Sequence, residues 1–93
     1  MRSFRWSRSK NERLKRERDV SFEAVVVAIE AGHLLDVLEH RNPGKYPGQQ
    51  VMVVNVDGYA YLVPFVESTD HLFLKTVIPS RKATRHYLRR SEI

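Results

Sequence analysis

The chain has 93 residues, of which 42% are hydrophobic and 29% charged, with no cysteine and a formal net charge of +5 at pH 7. That is enough for one modest core in a single domain over residues 1–93, and it excludes a disulfide framework or a thiolate metal site. No segment approaches the roughly 20 apolar residues of a membrane-spanning helix, and the basic start has no apolar run of the kind a signal peptide needs. A soluble, cytoplasmic protein is therefore expected.

The charge is strongly divided. Thirteen of the sixteen lysines and arginines fall in residues 1–18 and 80–93, which carry +6 and +4, while the segment between them carries −5. Basic ends brought together would form a face for a polyanion such as RNA or DNA, held through counterion release. A merely solvating surface is the plainer alternative.

In chain order, Ser7 or Ser9 can cap a first helix through Lys10 to Arg16, whose apolar anchors are Phe4, Trp6 and Leu14. Ser21 is a natural cap for a second helix. Phe22, Val25, Val26 and Ile29 then share one face, and Gly32 ends the helix as its C′ residue. Leu34 to Leu38 reads as a short strand, and the two Pro-Gly elements between Asn42 and Gly48 mark a loop. Gln50 to Val56 and Tyr59 to Val66 flank Asp57-Gly58, the signature of a type I′ hairpin. Pro64 cannot donate to a ladder, which places an edge or bulge there. His71 to Ile78 reads as a further strand, and a last helix starts at Ser80 with Ala83 and Tyr87 on its apolar side. The order predicts an α+β fold: two N-terminal helices, an antiparallel meander of three to four strands, and a C-terminal helix.

Two blocks resemble the BrnT family of bacterial toxins: Phe4-x-Trp6-Ser7-x-x-Lys10 leading to Val20-Ser21-Phe22-Glu23-Ala24, and Ile78-Pro79-Ser80-Arg81-Lys82-Ala83-Thr84. They stand in the family's order and bracket nearly the whole chain. The resemblance implies a RelE-like fold, an endoribonuclease activity that blocks translation, and a cognate antitoxin protein that neutralises it. Homo- or hetero-oligomers with that antitoxin follow from the same likeness. The chain departs from the family pattern at Glu17-Arg18-Asp19, where Lys-His-Gly is usual, and in its longer Asn42 to Gly48 loop.

Cleavage of RNA by its own 2′-hydroxyl needs a proton acceptor, cations for the charged phosphate and a proton donor for the leaving oxygen. Arg81 and Arg85, four apart on a helix, can address one phosphate together with Lys82. His86 and Tyr87 are candidates for acid or base, with packing in the core as the alternative for Tyr87 and plain exposure for His86. His71 is a weaker candidate for the same groove. Lys10, Arg13 and Lys15 are candidates for holding the RNA backbone, or for docking an acidic antitoxin. This scheme requires the first and last helices to meet in space. No metal is expected, because His33, Asp36, Glu39 and His40 lack a ligand spacing, and no cofactor, because neither a P-loop nor G-x-G-x-x-G occurs. A non-catalytic nucleic-acid-binding module and a protein-interaction domain with a basic face are the competing readings.

Overall fold

The computed structural model describes residues 3–40, 42, 44–45 and 47–89. Parts of the expected basic ends (Arg2, Arg90) and of the Pro-Gly loop (Pro43, Tyr46) lie outside the described residues. The elements are β1 (Ser3–Arg5), α1 (Arg8–Arg18), α2 (Phe22–Glu30), β2 (Leu34–Glu39), β3 (Gln49–Val56), β4 (Tyr59–Glu67), β5 (His71–Leu74), β6 (Ile78–Pro79) and α3 (Arg81–Thr84). The last of these runs on as a π-helical stretch over Arg85–Arg89.

The helix ends follow the local chemistry closely. Ser7, Ser21 and Ser80 each sit in extended backbone, and each hydroxyl accepts from the amide three residues on. At the far end of α2, Gly32 has φ +89°; its N–H donates to the Ile29 carbonyl while the His33 N–H donates to that of Ala28. This six-to-one and five-to-two pair satisfies carbonyls that the helix would otherwise leave open. In the β3–β4 turn both Asp57 and Gly58 have positive φ, as a type I′ hairpin demands, and Val56 pairs with Tyr59.

Five strands lie in the order β1-β5-β4-β3-β2, and β6 pairs with β4 beside β5. From β2 to β5 the sheet is the expected antiparallel meander. The expectation of a wholly antiparallel sheet fails at β1, which pairs in parallel with β5, Ser3 opposite His71 and Arg5 opposite Phe73. Phe4 is thus a strand residue facing the core, whereas the sequence reading placed it with the first helix; three residues are too few to display a period.

The stretch His71 to Ile78 is also two strands rather than one. Pro64 supplies the reason. Its carbonyl accepts from the Lys75 N–H, so the side of β4 on which proline lacks a donor is the side facing β5 and β6. The ladder breaks there, between Phe65 opposite Leu74 and Leu62 opposite Ile78.

Strand alternation divides the core between the two faces of the sheet. On one, Met52, Val54, Val63, Phe65 and Leu74 pack against Leu14 of α1 and Phe22, Val25 and Ala28 of α2, with Trp6 stacked on Phe22 at 5.5 Å between ring centroids. On the other, Val53 and Ala60 receive Ala83, Tyr87 and Leu88 of the C-terminal helix.

Two buried polar residues fasten these layers. Asn11 accepts from the Phe22 N–H at 2.9 Å and donates to Glu23 Oε1 at 2.8 Å, so one amide joins α1 to the start of α2. Thr84 Oγ1 accepts from the Ala60 N–H at 2.9 Å and donates to the Ser80 carbonyl at 2.8 Å, which clamps α3 to β4. Among the described residues, no helix is long and apolar enough to cross a membrane.

Candidate functional site

The last helix presents its residues in two sets. Ala83 and Thr84 are buried and point to the sheet, so Arg81, Lys82, Arg85 and His86, on other sides of the helix, stay exposed. Between the helix and the sheet lies a cavity of about 340 Å³ lined by Leu38 of β2, Val53 of β3, Leu62 of β4 and Ser80, Lys82, Ala83, His86 and Tyr87. Three of the five residues proposed for chemistry, Lys82, His86 and Tyr87, are therefore brought together. Arg81 and Arg85 line no part of that cavity and remain as cations on the exposed side of the helix.

Tyr87 takes the packing alternative considered for it. Its ring packs against the Val53, Ala60 and Ala83 cluster, and its hydroxyl donates to Asp36 Oδ2 at 2.6 Å. The His86 ring meets the Tyr87 ring edge to face, with centroids 4.7 Å apart. Asp36 is the member that sequence reasoning missed, having considered it only as a metal ligand. It lies on β2, far away in sequence, and no local spacing connects it to Tyr87. Hydrogen bonds from the Tyr87 hydroxyl and then the Val37 N–H hold its carboxyl below the ordinary value, with a smaller contribution from His86. Asp36 does not line the cavity; it is linked to it through the Tyr87 hydroxyl.

The basic residues of the first helix do not join it. Leu14 fastens α1 to the face of the sheet opposite the one that receives Ala83, so the two helices stand on opposite faces. The expected convergence of Lys10, Arg13 and Lys15 with Arg81 on one groove does not occur. Alternation along β3 and β4 is the cause: Val54 and Val63 draw α1 and α2 to one side, while Val53 and Ala60 draw the last helix to the other. Lys15 instead pairs with Glu12 at 3.5 Å, and α1 touches the other half of the molecule through Arg18, which donates to the Val77 carbonyl at 2.7 Å. His71 is also elsewhere, on β5 beside β1, hydrogen bonded to Asp70 at 2.8 Å. That bond holds the Asp70 carboxyl below its usual range.

Comparison with protein-family models, with curated proteins and with solved structures finds no match to this chain.

Proposed function

We propose that this protein is a toxin of the type II toxin-antitoxin class, a metal-independent endoribonuclease of RelE-like architecture whose working element is the C-terminal helix. The observation that carries the reading is the meeting of Lys82, His86 and Tyr87 around one cavity, at and just beyond the end of the second block that resembles the BrnT family, with Asp36 bonded to the Tyr87 hydroxyl. The first block supports it too, because its aromatic residues pack as a unit: Trp6 on Phe22, directly behind the Ser21 cap.

With α1 on the other face of the sheet the two basic helices share no groove, so the scheme is confined to the last helix: an RNA strand lies over its exposed side, its backbone held by Arg81 and Arg85. The scissile phosphate faces the cavity mouth. His86 takes the proton of the attacking 2′-hydroxyl and returns it to the leaving oxygen, Lys82 stabilises the pentacoordinate phosphate, and Asp36 holds the Tyr87 hydroxyl, whose ring positions His86. A cognate antitoxin neutralises the protein by covering this helix.

Expression of the wild-type chain should arrest growth and purified protein should cut RNA without added metal, with His86→Ala and Lys82→Ala each abolishing both effects while circular dichroism stays unchanged. A second reading, binding of nucleic acid without cleavage, is favoured by the position of Arg81 and Arg85 outside the cavity. It predicts salt-sensitive binding of RNA that remains intact after hours of incubation, and one gel separates the two.

A further inference from the structure

The face of the sheet that carries α1 and α2 is only partly covered. Beyond the C-terminal end of α2 an open trough of about 560 Å³ crosses the sheet, floored by Phe4, Met52, Phe65 and Leu72 and walled at β2 by Leu34 and Val37. Leu34 and Val37 are 39% and 44% exposed, unusual values for large aliphatic residues on a small domain's sheet face. Gln50 and Glu67 continue the trough into a second hollow of about 440 Å³ that includes Glu39.

The charge of the trough is opposite to that of the molecule. Glu30 stands on one flank, at the end of α2, and Glu39 and Glu67 on the other, at the ends of β2 and β4. Among the described residues, neither hollow has a lysine or arginine in its wall, although the chain has sixteen of them against eleven acids. A second copy placed symmetrically on this trough would bring carboxylates against carboxylates, which disfavours self-association there.

We propose that this trough docks an amphipathic helix of a partner protein, with an apolar stripe facing the sheet and lysines or arginines on both flanks. The length follows from the geometry. Crossing from β1 to β2 covers four strand spacings of about 4.8 Å, or about 19 Å, which an α-helix spans in about 13 residues. Such a helix lies alongside the end of α2, its flanks reaching Glu30 on one side and Glu39 and Glu67 on the other. The surface is on the opposite face of the sheet from the C-terminal helix, so the inference is independent of whether the protein cuts RNA, and a partner docked here leaves that helix open.

The test uses two synthetic 14-residue peptides, equal in length and apolar stripe, one with lysine and the other with glutamate at the flanking positions. Amide chemical-shift mapping on the full chain should place the lysine peptide against Val37, Met52 and Leu72. The glutamate peptide should bind about tenfold more weakly or worse. The double variant E30K/E39K, at exposed positions, should retain its melting temperature and reverse that preference, and Val37→Asp should weaken the lysine peptide in the wild-type background. The proposal is overturned if both peptides bind alike, if the shifts fall on α1 or the last helix, or if E30K/E39K leaves the preference unchanged. Sedimentation equilibrium showing a dimer that Val37→Asp dissociates would overturn it as well, since the trough would then be covered by a second copy.

Discussion

The Tyr87 hydroxyl and the Asp36 carboxylate, 51 positions apart in sequence, are joined by a 2.6 Å hydrogen bond that ties the C-terminal helix to the outermost strand β2. The bond also makes this connection pH-sensitive. The folded-state pKa of Asp36 is depressed, first by the Tyr87 hydroxyl, so the bond's contribution to stability is present above the unfolded value near 3.8 and is lost as the pH falls through the lower folded value. Tyr87→Phe should therefore lower the melting temperature at pH 7, and the gap from wild type should close in acid. A gap of equal size at both pH values would mean that ring packing, not this bond, is what the hydroxyl contributes to.

Thr84 is 2% exposed and holds two backbone groups at once. Thr84→Val keeps the shape and leaves the Ala60 N–H without its partner, a change expected to cost about 1–3 kcal/mol. Urea denaturation should show a lower midpoint at unchanged slope. Any RNA cleavage should fall with it, because α3 loses its clamp on β4, whereas His86→Ala should affect cleavage alone.

Asn11, 4% exposed, bridges α1 and α2 by accepting from one group and donating to another. Asn11→Ala leaves the buried Phe22 N–H open, at an expected cost of about 1–3 kcal/mol. Asn11→Asp restores the acceptor but sets a carboxylate against that of Glu23, whose own pKa is lowered chiefly by the Asn11 amide. Its stability should lie below wild type at neutral pH and recover part of the loss in mild acid. Thermal unfolding at two pH values reads both effects.

At the hairpin, Gly58 has φ +85° and nothing within 4 Å of where a Cβ would stand. Gly58→Ala therefore meets no clash, and its expected cost of about 1–2 kcal/mol is purely that of left-handed backbone. The equivalent test at the other turn residue is Asp57→Asn, which should be neutral or mildly stabilising, since asparagine tolerates that conformation better.

Much of this architecture is legible in the chain because its signals are local. Ser21 and Gly32 bound α2, Ser80 caps α3, Asp57-Gly58 closes the hairpin, and the defect at Pro64 appears where proline alone would put it. Relationships set by the sheet are not local. Phe4 carries no strand period in a three-residue segment, so the parallel pairing of β1 was invisible. Asp36 meets Tyr87 only because β2 lies at the sheet's margin below the last helix. The side of the sheet chosen by each basic helix depends on whether its apolar residues match Val53 or Val54, and charge composition holds no information about that choice.

The parallel pairing of β1 with β5 also bears on how the molecule is made. That margin of the sheet joins two strands far apart in sequence, Ser3 standing opposite His71. During synthesis Trp6 can settle on Phe22 as soon as α2 has left the ribosome, yet Phe4 must wait, uncovered, until the segment from His71 to Leu74 emerges. Long-range pairings of this kind fold late and leave the nascent chain adhesive in the interval. Closure of the sheet at this margin is thereby deferred until β5 is available.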